Sequence, residues 1–245
     1  MTTFLSFEEG ETNVTWLGLC DAFASGHKCP RAQIEDTFLH RGDDTLLTRS
    51  AWVDGLGVAV KSTTVYPGNP ARGRPMIDGT FSLYADDDGR LEAVIDFFLV
   101  TKWKTAGDSL FAATKLARPD SKEILIIGAG VVAHSLHEAY SAAFPNAQFT
   151  VWNRTRARAE EMVRACPGLT VTDDLEAAVR AADIVTCATP STTPVLKGAW
   201  LRPGQHIDLI GAFTPPMREA DDAVLQRGDI FADTYDTILG HIGEI

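Results

Sequence analysis

The sequence predicts an α/β protein in which a smaller α+β domain precedes a doubly wound parallel sheet. Two observations support this fold class. Residues 51–100 are rich in β-forming side chains and turn residues. From residue 122 onward, apolar strands alternate with helices, which is typical of parallel sheets built from crossover units. The length of 245 residues suits two modest domains.

The first domain is assigned to residues 1–118 and contains mostly strands. A short helix is predicted over Thr15–Phe23, before the break at Gly26–Pro30. Strands are predicted at Ile34–Leu39, Thr45–Thr48, 56–66, Thr80–Tyr84 and Leu91–Phe97, with a hairpin turn at Asp86–Gly89 and a closing helix over 101–117.

The second domain is assigned to residues 119–239, with the boundary near Arg118–Ser121. Its predicted strands are Glu123–Ile127, Gln148–Trp152, Ile184–Ala188, His206–Ile210 and Asp229–Ala232. One predicted helix of this domain begins near Val131. The others cover Thr155–Cys166, Asp174–Ala182 and Asp221–Arg227.

Composition excludes several classes of function. The net charge of −11 argues against nucleic acid and anionic membranes as main partners. The sequence has no apolar stretch of the ~18 residues that a membrane span requires. The four cysteines are scattered without a C-x-x-C spacing, which favours reduced thiols in a cytoplasmic protein without a metal site.

A glycine turn joins the first strand of the second domain to its helix. Gly128 and Gly130 permit a tight turn and a close approach of backbone to ligand, and Ala133 lets the helix pack on the strand. Because the helix N-terminus faces the turn, a pyrophosphate can bind there, as in Rossmann domains. The alternative is a glycine turn in an unrelated α/β unit. The predicted pyrophosphate-binding residues are Gly128, Ala129, Gly130, Val131 and Val132.

The end of the next strand indicates which dinucleotide binds. NAD-binding sites usually place an acidic residue there, but this strand continues as Asn153-Arg154-Thr155. A guanidinium group binds a 2′-phosphate well, so NADP(H) is favoured, with NAD(H) as the alternative. Arg158 is a further candidate. Alternatively, Arg156 and Arg158 pair only with the glutamates of their own helix.

Several motifs together resemble the ornithine cyclodeaminase/mu-crystallin family. The resemblance covers about residues 50–235. It is carried by Gly57-Val-Ala-Val-Lys61, Val65-Tyr-Pro-Gly-Asn69, Thr101-Lys-Trp-Lys-Thr-Ala106, Ala117-Arg-Pro119, Ile127-Gly-Ala-Gly130, Ala182-Asp-Ile-Val185, Ala188-Thr-Pro190, Trp200-Leu-Arg-Pro-Gly204 and Gly211-Ala212.

The resemblance implies a dimerising substrate domain followed by a nucleotide domain. It assigns Lys61 and Lys104 as catalytic cations that bind the substrate carboxylate. Arg49 is a third cation, although Arg31 and Arg41 compete for that role. Lys61 could instead face solvent, and Lys104 could simply pair with the aspartate one turn later. The remaining implied contacts are Thr80 and Phe213 for the substrate, and Thr189 and Gly211 for the cofactor.

Three departures from the family pattern affect the expected reaction. Lys104 replaces the usual arginine, and Phe213 replaces an aspartate of the cyclodeaminases and alanine dehydrogenases. The family also continues beyond residue 245. We therefore expect residues 240–245 to begin a truncated segment that returns to the substrate domain.

Imine reduction requires less proton transfer than cyclodeamination, because a protonated cyclic imine is already electrophilic. We therefore expect an NAD(P)H-dependent reductase that converts Δ1-pyrroline-2-carboxylate or Δ1-piperideine-2-carboxylate into L-proline or L-pipecolate. The alternatives are an ornithine cyclodeaminase and a non-catalytic protein that binds NADP or a small ligand. We also expect a homodimer, because the first domain has an open sheet whose edges require cover.

Overall fold

The protein divides into two compact units, Met1–Lys104 and Thr105–Ile245. The structure is a computed structural model that describes residues 1–234, 238–240 and 242–245. The expected return segment, 240–245, includes His241, which lies outside the described residues, as do residues 235–237 of the second predicted domain. The division falls inside a helix, whereas the sequence predicts a boundary after it. The reason is that α3, Phe97–Leu116, is continuous and contributes turns to both units.

The first unit contains a six-stranded sheet with the order β1-β6-β5-β4-β3-β2. All neighbouring strands are antiparallel except β1 and β6, which are parallel. The strands are β1 (Thr3–Leu5), β2 (Gln33–Arg41), β3 (Asp44–Val53), β4 (Gly57–Val65), β5 (Ile77–Tyr84) and β6 (Leu91–Asp96). Each predicted strand of this unit forms, and β3 is longer than predicted because it pairs along its whole length with β2 and β4.

Two short helices, α1 (Phe7–Glu11) and α2 (Trp16–Gly26), precede the main strands. The predicted helix at Thr15–Phe23 is confirmed as α2, with the Thr15 side chain accepting a hydrogen bond from the Gly18 amide. The sequence analysis missed β1 and α1. A strand of three residues and a helix of five are too short to show a period.

Helix α3 begins earlier than the predicted residue 101. The Asp96 carboxylate accepts a hydrogen bond from the Leu99 amide at 2.9 Å and so caps the helix directly after β6. The predicted start was wrong because Phe97 and Phe98 resemble strand residues, whereas the cap at Asp96 already begins the helix.

The second unit contains a five-stranded parallel sheet with the order β11-β10-β7-β8-β9. This arrangement confirms the predicted Rossmann fold class. Its strands are β7 (Glu123–Ile127), β8 (Gln148–Trp152), β9 (Leu169–Val171), β10 (Ile184–Cys187) and β11 (His206–Leu209). Its helices after α3 include α4 (Val131–Ala143), α5 (Arg156–Ala165), α6 (Leu175–Ala181) and α7 (Asp222–Arg227).

One predicted strand of this unit is absent. Asp229–Ala232 is not a strand, and Ile230 and Phe231 are 43% and 67% exposed. The described sheet ends at β11 on this side, so the apolar pair has no strand beside it. The fifth strand is instead β9, which the sequence analysis missed because it has three residues.

The central strand β7 lies in the core of the second unit. Ile124, Leu125, Ile126 and Ile127 are each at most 1% exposed, and β7 has helices on both sides and strands on both edges. Ala133 at the start of α4 is fully buried, as expected of a small side chain where the helix packs on the strand. Among the described residues, no helix is both long and apolar enough to cross a membrane.

Asp183 connects three segments at the amino ends of the strands. Its carboxylate accepts hydrogen bonds from the Lys122 and Glu123 amides and from the guanidinium groups of Arg118 and Arg202, at 2.7–3.2 Å. Burial opposes ionisation, but these donors and the positive charge of Arg118 prevail and lower the pKa of Asp183 to about 2.

We predict that Asp183→Asn lowers the free energy of unfolding by about 2 kcal/mol at pH 7. The ordinary pKa of 3.8 lies above the folded value, so the contribution is complete above pH ~4 and disappears as the pH falls towards 2. Urea denaturation from pH 7 to pH 3 measures this difference.

The matched control is Asp120→Asn, because Asp120 lies 3.6 Å from the same Arg118 but its side chain is 80% exposed. An exposed pair of this kind contributes at most about 1 kcal/mol. Equal losses in the two variants would contradict the role of Asp183.

Candidate active site

The glycine turn after β7 has the geometry of a phosphate-binding turn. Gly128 has a φ of +115°, and a Cβ there would lie 2.6 Å from the Ala188 carbonyl oxygen. Gly130 has an extended conformation and is the N-cap of α4, which no side chain of the described residues caps. Gly130 and Val131 are exposed, so the first amides of α4 face open space, as an anion requires. Gly128, Ala129, Gly130, Val131 and Val132 therefore form this turn and the start of α4, and they stay the predicted pyrophosphate-binding residues.

An exposed arginine, Arg154, follows the end of β8. Arg154 is exposed and makes no hydrogen bond or ion pair with any described residue. The Asn153 side-chain amide donates to the Thr155 carbonyl at 2.8 Å and fixes the turn around Arg154. Arg154 can therefore bind a phosphate without breaking an existing contact.

The two arginines in the first turn of α5, Arg156 and Arg158, are already paired. Arg156 binds Glu160 and Asp173, and the Arg158 guanidinium lies 3.6 Å from the carboxylate of Glu161. This is the alternative that the sequence left open for Arg156 and Arg158. Arg158 stays a predicted cofactor residue, but its position is less favourable than that of Arg154.

A buried carboxylate joins the loops after β10 and β11. Oε1 of Glu219 accepts hydrogen bonds from the Thr189 amide at 2.6 Å and from the Thr189 hydroxyl at 2.8 Å. Oε2 of Glu219 accepts one from the Gly211 amide at 2.7 Å. Thr189 and Gly211, both predicted cofactor residues, therefore direct these donors at Glu219 and can contact a ligand only through other atoms.

The first unit presents a charged row on one face of its sheet, formed by Asp36, Arg49 and Lys61. Asp36 is opposite Arg49, and Arg49 is opposite Lys61. Arg49 donates two hydrogen bonds to Asp36, at 2.6 and 2.7 Å. The structure therefore selects Arg49 as the arginine next to Lys61. Arg41 instead pairs with Asp44 at the hairpin, and Arg31 is exposed before β2.

Lys61 is half-buried, not fully exposed to solvent. Burial lowers the pKa of Lys61, and the positive charges of Arg49 and Lys104 lower it further, whereas Asp36 opposes the shift. Lys104 is exposed on α3, and it is near enough for its positive charge to lower the pKa of Lys61. An anion near them would relieve the repulsion among three positive charges.

Thr80 does not lie beside Lys61. Phe81 is opposite Lys61 across the sheet, and successive residues of a strand point to opposite faces. The Thr80 hydroxyl donates to the Ile95 carbonyl at 3.3 Å. The prediction that Thr80 lines the same pocket is therefore not supported, because it neglected the register of β5. Phe213 follows β11 in the second unit and is 58% exposed.

Two functional residues were missed by the sequence analysis. Asp36 lies in an alternating strand, where a charged residue normally faces solvent, and only the register shows that it pairs with Arg49. Glu219 lies two residues before the N-cap of α7, where an acidic residue usually has a local role. Neither sequence position carries a signal for a distant partner.

Comparisons with known proteins agree with this architecture. Residues 41–245 match the family model described as "Ornithine cyclodeaminase/mu-crystallin family". A Δ1-pyrroline-2-carboxylate reductase of Paracoccus denitrificans is 47% identical over 247 aligned residues, covering 99% of this chain and 78% of the relative.

Two solved structures share the fold over nearly the whole chain. An archaeal alanine dehydrogenase dimer with bound NAD superposes with a TM-score of 0.85 at 27% identity, covering 98% of this chain and 77% of the other. The Δ1-pyrroline-2-carboxylate reductase of Thermococcus litoralis superposes with a TM-score of 0.87 at 24% identity, covering 100% and 79%. By its family match and this identity, the chain belongs to the ornithine cyclodeaminase/mu-crystallin family.

Proposed function

We propose that this protein is an NAD(P)H-dependent imine reductase that converts Δ1-pyrroline-2-carboxylate or Δ1-piperideine-2-carboxylate into L-proline or L-pipecolate. The observation that carries the proposal is the 47% identity, over 99% of the chain, to a relative named for this reaction. The charged row and the absence of an acid at position 213 are consistent with it.

The chain's own residues supply the binding groups. Lys61, with Lys104 beside it, presents positive charge to the substrate carboxylate, and the ammonium of Lys61 can donate a hydrogen bond to it. Arg49 adds positive potential, but its guanidinium fork is committed to Asp36 and is not a second carboxylate clamp. Asp36 thus fixes Arg49 beside Lys61.

The residues around the glycine turn fit a dinucleotide. The exposed start of α4 can hold the pyrophosphate, and the loops after β10 and β11 lie at the same carboxyl edge of the sheet. When bound, the nicotinamide supplies the hydride. For the protein, the remaining task is to orient a protonated imine, which is already electrophilic.

Cyclodeamination is less well supported by the residues present. That reaction requires a positioned acid or base for several proton transfers. Phe213 cannot serve, and Glu219, the carboxylate that joins the neighbouring loops, is fully buried. We therefore place imine reduction first.

We also propose NADP(H) as the preferred cofactor and a homodimer as the assembly. Arg154, unpaired among the described residues, supports a 2′-phosphate, and no acidic residue occupies positions 153–155. The assembly proposal rests on exposed apolar side chains on the sheet face opposite Lys61. These are Phe4 (72% exposed), Leu39 (62%), Leu46 (37%) and Trp52 (52%).

We predict that Lys61→Met lowers kcat/KM for Δ1-pyrroline-2-carboxylate by ten- to a hundredfold, because a charge-assisted hydrogen bond contributes about 1.5–3 kcal/mol. NADPH oxidation measures the rate. The control is Lys122→Met, an exposed lysine of the second unit, which should behave as wild type.

A second assay, of ammonia and proline formed from L-ornithine, separates the alternatives. Wild type should release no detectable ammonia from L-ornithine at enzyme levels that reduce the imine readily. Proline and ammonia formed from ornithine at a comparable rate would replace this proposal with cyclodeamination. Binding of NADPH without turnover of either substrate would favour the non-catalytic alternative.

We predict that Arg154→Asp changes the ratio of kcat/KM with NADPH to kcat/KM with NADH by ten- to a hundredfold in favour of NADH. The cause is the loss of a guanidinium–phosphate contact and the addition of a like charge. The control is Arg164→Asp, at an exposed position near the end of α5. An unchanged ratio in Arg154→Asp would rule out the NADP assignment.

We predict that Leu39→Glu produces monomers at micromolar concentration, where the wild type sediments as a dimer, because it adds a charge to the apolar face. Phe38→Glu is the matched control. Phe38 is adjacent and 53% exposed, but it points to the opposite face of β2. Sedimentation of full-length protein gives the result, and a monomeric wild type would refute the proposed assembly.

A further inference from the structure

Three backbone segments approach one another closely at the carboxyl edge of the parallel sheet. A Cβ on Gly128 would come within 2.6 Å of the Ala188 carbonyl oxygen, so the glycine turn abuts the loop after β10. A Cβ on Gly211 would overlap the backbone of Thr189 and the carboxylate of Glu219. The loop after β10 therefore touches the loops after β7 and β11, and neither Gly128 nor Gly211 has room for a side chain.

Glu219 connects two of these segments, and we call its contacts with Thr189 and Gly211 the Glu219 bridge. Both carboxylate oxygens are used, one for each loop, through the three hydrogen bonds described above. The backbone of Glu219 is itself held by hydrogen bonds. Its carbonyl accepts from the Val195 and Leu196 amides, and its amide donates to the carboxylate of Glu244. Glu219 is therefore fixed by its own backbone contacts, and through the bridge it holds Thr189 and Gly211 in place.

A carboxylate is an expensive group to place here. Glu219 is fully buried, and burial raises the pKa of Glu219 to about 7; the donors on Thr189 and Gly211 oppose the rise, and the nearby Glu244 adds to it. An amide side chain of the same size could accept from one loop only, because its NH2 group would face the other donor. A carboxylate is thus the group that can accept from both loops at once.

The sheet topology indicates what lies above this bridge. A dinucleotide binds across the carboxyl edge of such a sheet, with its pyrophosphate at the turn after the first strand. Here that turn follows β7, and the 2′-position of the adenosine ribose belongs to the end of β8. The nicotinamide half therefore extends to the other side, over β10 and β11.

We propose that Glu219 is a positioning residue for hydride transfer, which holds Thr189 and Gly211 together as the support for the nicotinamide end of the cofactor. The inference rests on the proposed function. It predicts that loss of the bridge affects the geometry of the bound nicotinamide, whereas attachment through the pyrophosphate turn and Arg154 persists.

The test uses Glu219→Gln in the full chain. We expect the variant to bind NADPH within about fivefold of wild type, as measured by fluorescence titration. Its kcat for imine reduction should fall by ten- to a hundredfold with little change in the KM for NADPH. The deuterium isotope effect on kcat, with NADPH labelled at the transferred position, should increase because hydride transfer becomes more rate-limiting.

Asp183→Asn is the matched control. Asp183 also joins backbone segments through amide donors, but at the amino ends of the strands. It should lower stability and leave kcat and the isotope effect as in wild type. If Glu219→Gln behaves like this control, with lower stability and unchanged kcat and isotope effect, Glu219 is merely structural and the proposal is overturned.

Thr189→Val provides a second test should Glu219→Gln fail to fold. It removes one hydroxyl donor from the bridge and leaves both backbone donors. We expect a three- to tenfold lower kcat and an increased isotope effect from Thr189→Val alone. Where Glu219→Gln folds, we expect the double variant to show less than the product of the two single effects. An unchanged isotope effect in Thr189→Val, or independent effects in the double variant, would overturn the proposal.

The readouts also separate this proposal from the proposed substrate. If wild type oxidises NADPH with another imine or 2-oxo acid but not with the cyclic imines, the substrate assignment fails. The same comparison of kcat and isotope effect, made with the accepted substrate, still decides the role of Glu219. If Glu219→Gln alone loses NADPH binding more than a hundredfold, the bridge supports the whole cofactor site and the positioning role is rejected.

Discussion

The close approach of backbone segments at the carboxyl edge of the parallel sheet determines much of the second unit. Gly128 touches the loop after β10, and Gly211 touches the same loop from the other side. Because these contacts involve backbone atoms, no flexible side chain can move to relieve them. The positions of β7, β10 and β11 relative to one another are therefore fixed. The buried strand β7 supplies the rigidity that these contacts require. The exposed start of α4 can then present its amides to an anion in a constant geometry.

Electrostatic organisation in this protein depends on selective pairing. The chain carries a net charge of −11, yet not every basic side chain near the candidate site pairs with a carboxylate. Arg49, Arg156 and Arg158 have carboxylate partners, whereas Arg154 has none among the described residues. Lys61 lies between these cases, since the charge of Asp36 acts on it across Arg49, which holds the hydrogen bonds of that carboxylate. The positive charge of Lys61 is therefore incompletely compensated by its neighbours.

The sequence predicts features that depend on local patterns. The glycine turn, the alternation of strands and helices, and the missing acid after β8 all follow from neighbouring residues, and the structure places them as expected. Features set by register are different. Thr80 and Phe81 are adjacent in sequence, but only the pairing of β5 with β4 shows which one shares a face with Lys61. Asp229–Ala232 resembles a strand, yet strand formation requires a neighbour, which a local pattern does not supply.

Long-range polar contacts are the least predictable part of the site. Glu219 and Thr189 are thirty positions apart in the sequence, and their hydrogen bonds form because two loops meet at one sheet edge. Asp36 and Arg49 similarly become partners through the β2–β3 hairpin. Asp and Glu are residue types that usually lie on the surface. The burial of Glu219 and the partners of both carboxylates are therefore set only by the tertiary fold.

The tight packing around Gly211 and the exposure of Phe213, two positions later, divide this loop into a fixed part and a variable part. No side chain larger than hydrogen fits at 211, whereas 58% of the Phe213 surface has no protein neighbour. A library of variants of this loop should therefore keep Gly211 constant and diversify position 213, where changes in size create no internal cavity. Substitutions at 213 would then be tolerated while the backbone of the loop stays fixed by the packing at 211.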